Sequence, residues 1–281
     1  MSPVDDDLVI GLPEMRLRPF VDRYIGYRER ADVPLVRREP AGVFVVLILG
    51  WGAPLDVVDP RSAERGIERV DSFVAGTFDG WCTTRTVGVG EGVELLLTPL
   101  TARRVLGLPL AEVANRAVGL GQLPGGWLDR LRHRLADAAC WPQRFALLDT
   151  ALADRLVGAP TVDARLDWAW RRLVASGGRD GIGALATELG WSRRHLAARF
   201  REEVGLAPKT AARLLRFQQA HAALRGVSAT TGLRPAGAVR AVDWAEVAVR
   251  CGYYDQSHLI RDFHQFAGTT PAALLAARST A

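Results

Sequence analysis

The stretch LATELGWSRRHLAARFREEVGLAP at 185–208 can be laid over VAVRCGYYDQSHLIRDFHQFAGTTP at 247–271. This internal repeat constrains the chain more than any other feature of it. Ala186 and Gly190 fall on Ala248 and Gly252 at an offset of 62. One extra residue in the second turn moves the offset to 63, which then holds from Ser192 on Asp255 through His195 on His258, Leu196 on Leu259, Phe200 on Phe263, Gly205 on Gly268 and Pro208 on Pro271. One supersecondary unit is used twice.

Each copy reads as a short helix, a glycine-containing turn and a second helix. Ser192 or Asp255 opens that second helix, with a side-chain oxygen able to accept from first-turn N–H groups. Ala186 and Ala248 are small enough for the two helices to cross closely. That is the helix-turn-helix pattern, expected at about 182–205 and 244–268. Leu196 and Phe200, like Leu259 and Phe263, lie four apart and point inward. The opposite stripe is Arg194, Ala197, Ala198 and Arg201 in the first copy and Ser257, Ile260, Arg261 and His264 in the second. Small residues mixed with long donors suit a helix in a DNA major groove, where Arg, Ser and methyl groups read base edges. The alternative is an ordinary solvated face, and two copies with matched caps, core and glycines weigh against it. His195 and His258 each sit beside a core leucine and read as boundary residues bonded to backbone or phosphate rather than as metal ligands.

Between the copies, APKTAARLLRFQQAHAALRG reads as one helix over about 208–225, started by Pro208 and ended near Gly226. Eighteen residues make a rod of about 27 Å, enough to hold two recognition helices in successive grooves, ~34 Å apart.

Charge points the same way. Residues 180–281 hold 13 Lys and Arg against 8 Asp and Glu, while residues 1–179 hold 23 of each, so the whole excess of +5 lies in the C-terminal third. A basic third suits an anionic partner such as nucleic acid. Cys82, Cys140 and Cys251 are odd in number and far apart, so they seed neither a disulfide framework nor a zinc site and are expected as reduced core residues. The start, MSPVDDDLVI, is acidic where a secretory leader is basic, and AGVFVVLILGWGAPL is too short for a membrane span. A soluble, cytoplasmic protein is expected.

These residues resemble the DNA-binding domain of the AraC/XylS family of bacterial transcription regulators. The resemblance covers about 161–281 and is most specific in CGYYDQSHLIRDFHQFAGTTPAAL. It implies two helix-turn-helix units joined by a linker helix and preceded by a helix matching DARLDWAWRRLVAS at 163–176. It places base-reading positions on Arg194, Ala197 and Ala198 in the first unit and on Gln256, Ser257, His258 and Arg261 in the second. Arg193, Arg201, Lys209 and His264 become phosphate or groove-edge contacts. It further implies double-stranded promoter DNA as partner and a homodimer, and it leaves room for a small-molecule effector of unknown identity, contact with RNA polymerase and a role as activator, with repression as the alternative. Ala197 and Ala198 stand where the family often carries longer polar side chains. GVSATTGLRPAGAVRAVD at 226–243 is longer than the connection the resemblance implies. Its composition reads as a disordered loop, with a backbone contact through Arg234 and Arg240 as the alternative.

The N-terminal part, 1–160, reads differently. Residues 15–100 alternate apolar runs (GVFVVLILGW, DSFVAGTF, TRTVGVG, VELLLTP) with Gly and Pro, the pattern of short strands in a sheet or small barrel. From Thr98 the spacing turns helical in LTARRVLG, PLAEVANRAVGL, GGWLDRLRHRLADA and CWPQRFALLDTALADRL, helices expected to cover the sheet, pair two subunits, or both. The fold class expected is therefore α+β, with an all-α C-terminal domain. The family resemblance extends weakly here, to a divergent cupin-like sensor or dimerisation domain. No histidine precedes His133, so a barrel in this part lacks imidazole ligands and no metal or cofactor is expected. Trp51, Phe73, Phe78, Trp81 and Arg85 are the candidates for a small-molecule pocket, with plain core as the alternative.

Catalytic motifs are absent: there is no G-x-S-x-G, no P-loop and no G-x-G-x-x-G ahead of a helix. The reading is a sequence-specific transcription regulator and not an enzyme. Two alternatives stand beside it: a DNA-delivered repair or modifying enzyme with Cys82 or Cys140 as nucleophile, and a module whose N-terminal domain docks a protein partner.

Overall fold

The computed structural model describes residues 4–224 and 243–279. The 226–243 connection lies outside the described residues apart from Asp243.

The N-terminal half is an eight-stranded antiparallel sheet, with β1 Val4–Gly11, β2 Val21–Glu39, β3 Val45–Gly50, β4 Leu55–Val58, β5 Ile67–Val70, β6 Phe73–Ala75, β7 Cys82–Leu97 and β8 Ala117–Gly119. Spatial order is β1-β2-β7-β3-β6-β8, while β4 pairs with β5 and β7. Two strands are much longer than the short ones expected. β2 has 19 residues and β7 has 16, and their ladder bulges between Val21 and Tyr24 and between Ala31 and Leu35. TRTVGVG and VELLLTP are one strand, continued through the Gly90 to Gly92 turnless stretch because Gly88, Gly90 and Gly92 stay paired with β2. A second departure falls on PLAEVANRAVGL, expected to be helical. It is a single 3₁₀ turn at Leu110–Glu112 followed by β8. Asn115 takes a left-handed backbone there, φ 56°, and its N–H donates to Thr77 O (2.9 Å), so pairing with the sheet overrides leucine spacing.

Helices α1 Pro99–Leu106, α2 Trp127–Asp137 and α3 Trp141–Val157 cover one face of the sheet. Their leucines Leu128, Leu131, Leu135, Leu148 and Leu152 pack with Leu47, Leu49, Val93, Leu95 and Leu97, the alternate positions of β3 and β7. Asp149, buried on α3, accepts from Tyr24 Oη (2.9 Å) and the Glu14 N–H (3.1 Å), fixing helix to sheet. The opposite face carries a smaller cluster of Ile48, Val57, Phe73 and Ala117.

Among the described residues the C-terminal part has helices and no strand: α4 Ala164–Ala175, α5 Ile182–Glu188, α6 Arg193–Val204, α7 Pro208–Leu224, α8 Trp244–Arg250, α9 Gln256–Ala267 and α10 Pro271–Ser279. One core joins α4 to α9, with Phe217 of α7 edge-on to Phe263 (5.0 Å) and against Phe266 (5.5 Å). Ala41, Val43 and Leu100 of the N-terminal half belong to that same core.

Of the cysteines, Cys251 is buried and Cys82 half-buried, but Cys140 is exposed at the start of α3, which corrects the expectation of three core residues. Among the described residues no helix is long and apolar enough to cross a membrane.

Candidate nucleic-acid interface

The two repeats fold alike in detail. α5 ends in a turn where Gly190 (φ 67°) donates to Thr187 O and Trp191 donates to Ala186 O (2.9 Å). α8 ends in the same turn, Gly252 (φ 77°) to Val249 O and Tyr253 to Ala248 O (2.9 Å). A left-handed residue in these turns satisfies carbonyls the helix leaves free, and only glycine adopts it without strain. The next helices open as their sequence requires. Ser192 accepts from the His195 N–H (3.1 Å), and Asp255 accepts from the His258 N–H (2.8 Å). The extra residue of the second turn is Tyr254, almost wholly exposed beside His258. Asp243 caps α8 by accepting from Ala245 and Glu246 N–H groups.

Leu196, Phe200 and Val204 on α6, and Leu259, Phe263 and Phe266 on α9, are fully buried. The opposite faces therefore point outward. Arg193, Arg194, Ala198, Arg201, Lys209, Gln256, Ser257, His258, Arg261 and His264 are all exposed, and Ala197 is half-buried. His195 packs edge-on against Trp191 (4.7 Å), and His258 Nδ1 lies 3.3 Å from Asp255. Both histidines are exposed in the first turn of their helices. Arg193 lies back against Gly183 at the start of α5, and Arg261 Nε donates to Ser257 O on its own helix (3.3 Å).

Arg171, Arg172, Arg199 and Arg213 are each paired with a carboxylate. Among the described residues no carboxylate pairs with Arg193, Arg194, Arg201, Lys209 or Arg261. Arg193, Arg194 and Arg201 of α6 and Arg261 of α9 thus stand without a carboxylate on faces the core leaves open, with Lys209 at the start of α7, an arrangement a phosphate-lined groove neutralises.

Residues 185–277 match the family described as helix-turn-helix domain. The C-terminal region is an AraC-type helix-turn-helix domain. Within it α6 and α9 are the second helices of the two repeats, and α7 runs between the repeats. Over the whole chain, solved structures similar to this one include ToxT from Vibrio cholerae (8% identity, 98% of each chain covered, TM-score 0.47) and wild-type ToxT from V. cholerae strain SCE256 bound to an unsaturated fatty acid (9% identity, 98% and 95% covered, TM-score 0.46). The AraC-like transcriptional activator CuxR is similar at 15% identity, with 80% and 89% covered and a TM-score of 0.30. Comparison with curated proteins gives no match.

The five pocket candidates do not converge. Trp51 stacks near Trp141 with Arg144 between them, on the helix-covered face. Phe73 belongs to the cluster on the other face. Phe78 is buried, and Arg85 lies on β7 opposite Val36 and Asp56. Trp81 leaves the sheet altogether and packs against Gly268 of the AraC-type domain, with the Arg38 guanidinium 4.7 Å over its ring. Open cavities of about 350 and 540 Å³ lie instead along α2 and α3, beside Arg134 and residues such as Trp127 and Gln143. Sequence reasoning missed Trp81 as a domain contact, for which nothing local gives a signal.

Burial, with Glu39 and Asp59 nearby, pushes the Cys82 thiol up to about 12, which disfavours the thiolate that a nucleophile requires. Among the described residues no cluster of His, Cys, Asp and Glu could hold a metal ion.

Proposed function

We propose the following reading. The chain is a DNA-binding transcription regulator whose α6 and α9 enter successive major grooves of promoter DNA. The observation that carries it is the pair of matched recognition helices with unpaired cations on their open faces. Base edges are read by Arg194, Ala197 and Ala198 from α6 and by Gln256, Ser257, His258 and Arg261 from α9. Arg193, Arg201, Lys209 and His264 meet phosphates. The N-terminal domain is regulatory or pairs two copies of the chain, and the protein works in the cytoplasm as a homodimer without enzymatic activity. Activation through RNA polymerase and control by a small effector complete the reading.

Sequencing of sheared genomic DNA captured on the full-length protein tests it. Discrete enriched sites that vanish in the Arg194→Ala/Arg261→Ala double variant are expected. Diffuse enrichment that the variant leaves unchanged would remove base reading and favour a role in docking a protein partner.

A further inference from the structure

The N-terminal domain touches both recognition helices, and it does so at equivalent points of the repeat. α6 and α9 end in Gly205 and Gly268, both left-handed (φ 82° and 65°). At the end of α6, Thr77 Oγ1 donates to Val204 O (3.0 Å), and Arg103 of α1 pairs with Glu203 (3.1 Å). At the end of α9, the Ala41 N–H donates to Phe266 O (2.7 Å), Arg38 Nη1 donates to Gly268 O (3.0 Å), and Gln265 Nε2 donates back to Asp79 O (3.0 Å). The last carbonyls of a helix have no partner within it. Here a neighbouring domain supplies donors to both helices, and the Arg38 cation sits at a helix C-terminus where the dipole favours it. The fit is close. A Cβ on Gly205 would stand 2.5 Å from Thr77 Oγ1, and one on Gly268 would stand 2.5 Å from the Trp81 ring.

Thr77, Asp79 and Trp81 belong to one six-residue loop, 76–81, and that loop is itself held. The Asp79 N–H donates to Asn115 Oδ1 (2.7 Å), the Asn115 N–H donates to Thr77 O (2.9 Å), and the Asp79 carboxylate pairs with Arg61 (2.7 Å) and Arg65 (3.2 Å). We propose that this loop, with Arg38 to Ala41, is a clamp that positions α6 and α9 relative to each other and so sets the spacing between the two DNA motifs the chain reads. Thr77, Trp81 and Arg38 are then positioning residues. They touch no base and act through the caps of the helices that do. The inference rests on the DNA reading above.

Two measurements on the full chain test it. Selection from a random DNA pool with wild-type protein is expected to return two short motifs at one spacing. The Thr77→Val/Trp81→Ala variant is expected to return the same motifs over several neighbouring spacings, each enriched within a few-fold of the others. Thr77→Val alone removes only a hydroxyl, and it keeps the test open if Trp81→Ala fails to fold. The same spacing from variant and wild type overturns the clamp. In parallel, spin labels at Ala198→Cys and Ser257→Cys, in a Cys82→Ala/Cys140→Ser background, report the distance between the helices without DNA. A single narrow distance that broadens in the clamp variants is expected. If wild-type protein selects no sequence at all, the DNA reading fails, and the label distances decide whether the loop positions the helices: an unchanged narrow peak overturns that as well.

Discussion

Arg194 and Arg261, both proposed to read bases, do not share a place in the repeat: under the offset of 63, Arg194 falls on Ser257 and Ala198 falls on Arg261. The two arginines therefore stand a turn apart in the repeat, and on the proposed reading the two copies should read different bases. Arg261→Ala is expected to cost ~1 to 3 kcal/mol on the preferred site and to relax the preference at one position. Lys209→Ala should instead weaken all sequences alike and lower the salt slope by about one phosphate. Anisotropy titrations of both variants on a selected and a scrambled site, at several salt concentrations, separate the two behaviours; equal losses on both DNAs for Arg261→Ala would end its base-reading role. A different residue governs pH. Glu94 projects from β7 in the row of Ile25 and Ile48. Burial raises its carboxyl to about 7, with Glu39 adding to the effect and Arg23 opposing it. Unfolded, it ionises near 4.5, so between those values the folded state binds more protons. This contribution to stability is full below about 4.5 and is lost as pH rises through 7. Glu94→Gln should raise the stability at pH 8 by on the order of 2 kcal/mol and leave it nearly unchanged at pH 4. Thermal melts at the two pH values check this, and a Tm gain of equal size at both would mean the effect is packing and not charge.

Caps and pairs act at the scale of the element. Ser192→Ala and Asp255→Ala each remove one acceptor from a helix start and should cost ~1 kcal/mol. Asp262 asks more of α9, being buried and bonded to Arg213 of α7 at 3.1 Å through Nε as well as through Nη2. Asp262→Ala takes the carboxylate from the half-buried Arg213 guanidinium, leaving it the Gln265 Oε1 (2.7 Å), and should cost on the order of 3 kcal/mol. Urea unfolding of the three variants ranks them, and a cap variant that costs more than Asp262→Ala would contradict this ordering. The same features explain what could be read before any coordinates. The helix-turn-helix units are legible because their signals are local: a cap, a glycine, and core residues four apart. β2 is not, because VDRYIGYRERADVPLVRRE buries only Val21, Tyr24, Gly26 and Ala31, and its charged residues come in runs such as Arg28–Arg30 and Arg37–Glu39 that break the alternation a strand is read from. Its strand state comes from pairing with β1 and β7, not from its own composition. At 109–120 leucine spacing points to a helix, and the left-handed Asn115 that anchors the 76–81 loop decides otherwise.

For the whole molecule, the decisive feature is a core that ignores the boundary near residue 160. The two halves have separate sequence signatures, acidic and basic residues in balance on one side and an excess of base on the other. Yet Ala41, Val43 and Leu100 lie in the same buried cluster as Leu196, Phe200, Phe263 and Phe266, and Phe44 packs onto it. Removing residues 1–160 would expose the apolar ends of α6 and α9 and leave the carbonyls of Val204 and Phe266 without the donors Thr77 and Ala41. Each such loss costs stability, by about 25 cal/mol per Å² of apolar surface exposed and about 1 kcal/mol per unmade hydrogen bond. The full chain should therefore melt in one transition, and a fragment of residues 161–281 should melt at a lower temperature than that domain does within the full chain. Calorimetry of both proteins checks this. If the full chain shows two transitions and one coincides with the fragment's, the shared core contributes nothing to stability, and the domains are joined only by sequence.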